Sequence, residues 1–405
     1  VMPYDEWPAL DDKRKIAVVI GAHHTFTDSQ NASLDKFVKS HNAVVLASKV
    51  SGYHGEYNLQ SSLVAQQLNS DNPKCAELNP DLIIHLGEIS GEYETYGFLD
   101  RERYEVWRVS EDGEFRERFH ELRYVFESRE EDFFLQYAGE ASEYHPYLEA
   151  WRDYDAEIRS RIPEFPFSNL WIAQHLSPII PENSVLHLGI LNSLRSWNNY
   201  VLDSSIETIS NVGGFGIDGD MSTLLGASLA YPDKMHFIVL GDLAFFYDMN
   251  SLGNRHLGKN VRILMINNNV GTEFKMSTHI GSQFGDHTDD YVGAGMHNIN
   301  HYVHPLHRGQ VAAPSPAQAW ATSLGIRYIS ASNKEEFENN VAEFIASEGD
   351  APVLFECFTT PANEDVAHEM IMHIDRHVSM KGQLKSLAKK VLPKETVSAI
   401  KKVIK

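Results

Sequence analysis

Cysteine is nearly missing: Cys75 and Cys357 are the only two in 405 residues. Two thiols cannot build a disulfide framework, so a reducing, cytoplasmic setting is expected. Also missing is any apolar run long enough to span a bilayer, and no signal-peptide-like segment opens the chain. Positive charge is in deficit, with 35 Lys and Arg against 56 Asp and Glu, a net charge of −21. Repulsion from phosphates then excludes nucleic acid as a partner except at a local basic patch. No G-x-G-x-x-G follows the first strand-like run, which ends in GAHHTFTDS, so dinucleotide binding has no support. Position 1 is not methionine, and the opening VMPYDEWPAL reads as a linker entering a domain.

Charge is unevenly spread along the chain. Residues 381–405 hold eight lysines against the single acid Glu395, with apolar residues at helical spacing interrupted by Pro393. A helix lying on a membrane surface is one reading of this tail; a solvated helix pair resting on an acidic body is the plainer one.

Strand-like and helix-like patterns alternate along the rest of the chain. KIAVVIG (15–21), AVVLASK (43–49), DLIIHLGE (81–88), RYEVWRVS (103–110) and ELRYVFES (121–128) read as strands, with an amphipathic helix at 31–41. The stretch 129–165 reads as helical, ending near Pro163 and Pro166. A second series follows: strands at 184–190, 207–211, 236–241, 261–266, 327–332 and 351–358, with helices at 168–180, from Ser193, and at 220–230, 315–324 and 334–347. Such alternation predicts an α/β protein with two doubly wound, mostly parallel sheets. The expected division is a linker at 1–14, a Rossmann-like domain at 15–164, a second domain at 165–365 and the basic tail at 366–405.

Polar residues cluster where the second domain's strands end. Asp242 follows the run HFIVLG, and Asn267, Asn268 and Asn269 close the run VRILMI. The 27 residues from Asp242 to Asn269 suit one strand–helix–strand crossover, which would bring the two side chains together above the sheet. A carboxylate, an amide oxygen and a backbone carbonyl suit hard Mg²⁺ when phosphates supply the remaining oxygens. The glycine-rich turn GGFGIDG (213–219) before the helix at 220 adds a backbone cradle for the same anion. Taken singly, each piece has a plain explanation: Asp as a helix cap, NNN as a turn, GGFGIDG as any loop. Their order and spacing together argue for more.

Three segments carry a family resemblance: LNSLRSW (191–197), SNVGGFGIDGDMSTLLGAS (210–228) and GDLAFFYDMNSL…NNNVG. Together they resemble the thiamine-diphosphate motif as it occurs in 2-succinyl-5-enolpyruvyl-6-hydroxy-3-cyclohexene-1-carboxylate synthases, the menaquinone-pathway family (MenD). The resemblance covers the second domain; the first matches that family's central domain in pattern only. It implies that Asp242 and Asn269 ligate Mg²⁺ through side chains and Gly271 through its carbonyl. Ser193, Gly241, Leu243, Ala244 and Thr272 would meet the diphosphate. Phe215, Gly216 and Ile217 would lie against the cofactor, with Ile217 as the wedge that bends it. The implied chemistry is decarboxylation of a 2-oxo acid followed by carboligation to an acceptor, in a homodimer or tetramer.

Two departures shape the expectation. The glutamate that activates the cofactor in this family sits on a pyrimidine-binding domain that nothing here matches, so either the sequence is a fragment or that domain lies on another polypeptide. The family's substrate-gripping arginines are replaced by Trp197 and Val212, with Arg195 two residues away as a partial substitute. Phe274 is expected to line the same pocket. Alternatives are a simple 2-oxo-acid decarboxylase, like those acting on phosphonopyruvate or sulfopyruvate, and a non-catalytic scaffold that kept the fold. The segment 279–307 holds His279, His287, His297, His301, His304 and His307. His297 and His301, at i,i+4, could present two imidazoles to a metal, but no Cys or H-E-x-x-H accompanies them. A loop near the cofactor with one or two histidines facing substrate is the stronger expectation.

Overall fold

The computed structural model describes residues 6–11, 14–275, 279–290 and 315–377. His297, His301, His304 and His307 lie outside these residues, as does the lysine-rich tail. Two six-stranded sheets organise the chain. The first contains β1 (Ile16–Ile20), β2 (Ala43–Ala47), β3 (Asn58–Gln60), β4 (Leu82–Leu86), β5 (Glu105–Ser110) and β6 (Leu122–Glu127), in the order β3-β2-β1-β4-β5-β6. The second contains β7 (Val185–Leu188), β8 (Glu207–Ile209), β9 (His236–Gly241), β10 (Val261–Asn267), β11 (Arg327–Ala331) and β12 (Val353–Phe358), in the order β11-β12-β10-β9-β7-β8. Every strand pair in both sheets is parallel. The protein is therefore α/β and doubly wound, as the alternating pattern predicts.

Why these segments become strands is visible in their burial. IAVVI, AVVLA and LIIHL are buried at every position, the signature of a parallel strand covered on both faces. Helix boundaries follow local chemistry as well. The helix Asp28–Ser40 starts three residues earlier than the periodicity suggests, because Thr27 and Gln30 form a capping box. The stretch 129–165 resolves into two helices, Glu130–Tyr137 and Pro146–Ser160, the second opened by proline at its first turn. Tyr147, Trp151, Tyr154 and Ile158 form the buried face of that second helix. Before the first sheet, Trp7 packs its ring on Phe126, Phe133 and Tyr137 at centroid distances of 5.0, 5.5 and 5.8 Å.

The two sheets are tied together near the far end of the described chain. The helix Pro361–Met372 runs through residue 365, the boundary expected for the second domain, and buries Ala367 and Ile371. Gln67 of the first domain donates to the Ile371 carbonyl at 2.8 Å and accepts from the Asp375 N–H at 3.1 Å. Asp375 also takes the Tyr154 hydroxyl and the Arg161 guanidinium, each at 2.8 Å. No helix among the described residues is long and apolar enough to cross a membrane.

Candidate cofactor site

Ligands in open parallel sheets bind beyond the carboxyl ends of the strands, and the second domain concentrates its polar residues there. β9 and β10 are neighbours, with Gly241 opposite Ile266. Asp242 therefore emerges beside Asn267. It is 2% exposed and begins a short helix, Asp242–Asp248, for which Gly241 is the cap. One carboxylate oxygen accepts from the Leu243 N–H at 3.0 Å, and the other accepts from the Asn269 N–H at 2.9 Å. Asp242 and Asn269, 27 residues apart in sequence, are thus in direct contact.

Asn269 has φ of +63°, the left-handed region that asparagine tolerates better than most residues. Its N–H also lies 3.2 Å from Asn267 Oδ1, and Asn268 Oδ1 accepts from the Val270 N–H at 3.1 Å. The three asparagines thus fold the strand end back on itself. The Gly271 carbonyl accepts from the Phe274 N–H at 3.0 Å, which leaves its second lone pair for another partner.

Asn267 is held from behind. Its amide donates to Glu356 Oε1 at 2.7 Å, and Glu356 Oε2 accepts from Ser315 Oγ at 2.5 Å and from the Tyr328 hydroxyl at 2.7 Å. Glu356 is wholly buried on β12, and burial raises its pKa despite these donors. The signal for it lay in the sequence as one acid inside the apolar run LFECF, and it went unused.

The remaining candidate residues lie on neighbouring elements of the second sheet. Ser193 is buried in the short helix Asn192–Trp197, which starts after Leu191 at φ +74°. Phe215 has φ of +51°, within the glycine-rich turn. Backbone strain at bulky residues gathers at sites of function more than elsewhere. A methyl group placed on Gly213, Gly214 or Gly241 would meet open space, so the backbone is approachable there. On Gly216 it would strike the Asp218 carboxylate. Ile217 is half-buried and packs against both apolar clusters of the fold. Ala244 and Thr272 are buried, and Thr272 Oγ1 is a buried hydroxyl without a hydrogen-bond partner among the described residues. Asp248 joins the glycine-rich side to the Asp242 helix, accepting from the N–H and hydroxyl of Ser222 at 2.7 and 2.6 Å.

The substrate-side candidate Arg195 shares a small cavity with Thr272 of the diphosphate side. Arg195 pairs with Glu273 at 2.5 Å and sits over the Tyr93 ring at 4.5 Å. Trp197 and Val212 are buried core residues. Phe274 stacks edge-on to His279 at 5.2 Å. A cleft of about 380 Å³ between the domains is lined by Tyr93, Glu94, Arg195, Glu273, His279 and His368. Among the described residues no cluster of three or more His, Cys, Asp or Glu could hold a metal by itself. Any ion here needs amide and carbonyl oxygens and a ligand's own oxygens.

Glu364, which the sequence reading passed over, borders a smaller cavity with Arg195, Thr272 and His368. Its carboxylate accepts from the Asn169 N–H at 3.0 and 3.2 Å, and burial pushes its pKa up to about 7 from 4.5. The folded value lies above the unfolded one, so the stabilising form is the protonated acid. Its contribution is complete below about pH 4.5 and is lost as pH rises toward 7. Glu364→Gln should gain melting temperature relative to the parent as pH is raised from about 5 to about 8. Parallel melting curves for the two proteins across that range would remove the assignment.

No family model matches the chain. Among curated proteins, the 2-succinyl-5-enolpyruvyl-6-hydroxy-3-cyclohexene-1-carboxylate synthase of Bacteroides thetaiotaomicron is 32% identical over 291 residues, 71% of this chain and 48% of the relative. The synthase of Bacteroides fragilis is 31% identical over 259 residues, 63% of this chain and 42% of the relative. That of Flavobacterium johnsoniae is 25% identical over 362 residues, 87% of this chain and 61% of the relative. The chain is similar to this synthase family over most of its own length. It spans about half the length of the Bacteroides synthases it matches.

Proposed function

We propose that the chain is the diphosphate-binding part of a thiamine-diphosphate- and Mg²⁺-dependent enzyme that decarboxylates a 2-oxo acid and joins the remainder to an acceptor. The observation that carries this reading is the 2.9 Å contact between Asp242 and Asn269 at adjacent strand tips. The donor set fits the group. One carboxylate, one amide oxygen and one free carbonyl lone pair are hard ligands suited to Mg²⁺ shared with a diphosphate. The Thr272 hydroxyl, without a hydrogen-bond partner among the described residues, and the open face of Gly241 supply a polar contact and room beside it.

In this proposal Asp242, Asn269 and the Gly271 carbonyl hold Mg²⁺. Ser193, Thr272 and the backbone of Gly241, Leu243 and Ala244 hold the diphosphate. Ile217, with Phe215 and Gly216, forms an apolar wall that excludes water from one side of the cofactor. Thiamine diphosphate, when bound, supplies an electron sink for the pair released as CO₂ leaves the 2-oxo acid. Arg195 orients a substrate carboxylate from the interdomain cleft, with its charge partly committed to Glu273. His279, on the same cleft, is placed to move a proton at the substrate. An activating carboxylate from a pyrimidine-binding domain completes the site, and the working enzyme in this proposal is an oligomer.

Calorimetric titration with thiamine diphosphate, with and without Mg²⁺, tests the cofactor assignment. CO₂ release from a panel of 2-oxo acids, with a pyrimidine-binding domain supplied in trans, tests the reaction. Metal-dependent binding and acceptor-dependent product formation support the proposal. CO₂ release with no acceptor incorporated makes the protein a simple decarboxylase. No binding, even with the added domain, makes it a scaffold.

A further inference from the structure

Lysine is almost never fully buried without a partner, because an unpaired ammonium is costly outside water. Lys49 is 5% exposed, two residues beyond the carboxyl end of β2. No ion pair to it occurs among the described residues. Its main chain is fixed from the other domain: its N–H donates to Asn198 Oδ1 at 2.9 Å, and its carbonyl accepts from the Thr208 hydroxyl. The charge that acts on it most is of the same sign. Arg159 is already committed, to Asp155 at 2.7 Å and to the Asn199 and Gln60 carbonyls at 2.9 and 3.3 Å. Burial and this neighbouring guanidinium push the Lys49 amine down to about 7.

Lys49 and Arg159 line a cavity of about 250 Å³ between the two domains. That is below the roughly 300–1,000 Å³ of sites for drug-sized ligands. Leu59, Leu202 and Ile206 form apolar wall; Ser51, His54 and Asn58 add polar groups, and the two carboxylates on the lining are committed elsewhere, Asp155 to Arg159 and Asp203 to the Ser205 hydroxyl. Strand tips are where ligands bind in a sheet of this kind, and at this tip Lys49 has no ion-pair partner among the described residues. We propose that the cavity is a binding site for a small organic acid, its carboxylate held by Lys49 and its body by Leu59, Leu202 and Ile206. This site is separate from the cofactor site and does not depend on the function proposed above. Asn198 and Asn199 directly follow the helix Asn192–Trp197, so a bound acid also braces the helix that carries Ser193 and Arg195.

Calorimetric titration of the full chain with benzoate, butyrate, uncharged benzamide and inorganic phosphate tests this. One saturable site per chain is expected for benzoate or butyrate, with no binding of benzamide. Lys49→Gln should weaken it about ten-fold or more, as for a charge-assisted hydrogen bond. Because that variant could fail to fold, a second measurement uses the parent protein. Acetylation by an active ester, followed peptide by peptide, should be slowed several-fold at Lys49 by saturating benzoate and left unchanged at exposed lysines. No saturable binding, equal binding of benzamide, preference for phosphate, or an unprotected Lys49 each overturns the proposal.

Discussion

Asp242→Asn is expected to lower the affinity for thiamine diphosphate in the presence of Mg²⁺ by more than about 100-fold. Residues that only orient a metal ligand typically cost 10–100-fold when changed, so loss of the one carboxylate in the set should exceed that. Asparagine keeps an acceptor oxygen for the Leu243 or Asn269 N–H, so the strand tips stay joined and the fold survives. The charge facing the ion is what disappears. Titration calorimetry with and without Mg²⁺ reads the effect, and an unchanged melting temperature shows that the fold is intact. If Asp242→Asn bound cofactor and metal like the parent, Asp242 would be only a helix-initiating residue, and the proposed site would fall with it.

The second large effect is expected at Glu356. Replacing it by alanine leaves the Asn267 amide, the Ser315 hydroxyl and the Tyr328 hydroxyl without their shared acceptor. Buried donors left unpaired cost about 1–3 kcal/mol each, so a loss on the order of 3 kcal/mol or more is expected in chemical denaturation. Glu356→Gln preserves volume and one acceptor oxygen, and should cost less. It nevertheless places an NH₂ group among three donors, so Asn267 loses its fixed orientation. Cofactor affinity should then fall by about 10–100-fold, although Glu356 does not itself reach the proposed ligands. A Glu356→Gln protein with full affinity would show that Asn267 is not held in place by this acid.

The fold was legible wherever a segment was buried on both faces, because β-branched runs such as IAVVI and AVVLA have few alternatives. The helix Asp220–Ala230 and the strand His236–Gly241 match the periodicity residue for residue. What escaped was short or decided by distant partners. β3 is three residues long and partly exposed, too brief for any period to show. The helix Asp242–Asp248 is the helix that the crossover requires, with Asp242 as its first residue and Gly241, not Asp242, as its cap. Adjacency of Asp242 and Asn269 followed from the crossover length. That Glu356 stands behind Asn267 could not, because β12 begins some 90 residues later and pairs with β10 only in three dimensions.

The clasp formed by Gln67, Ile371 and Asp375 has a bearing on how the polypeptide matures. Its partners are separated by as many as 308 positions along the chain. As the chain leaves the ribosome, the amino-terminal sheet can assemble early, yet one of its flanks stays uncovered until the last described helix has been made and has swung back. Through that interval the flank is open to chaperones, to proteases and to neighbouring nascent chains.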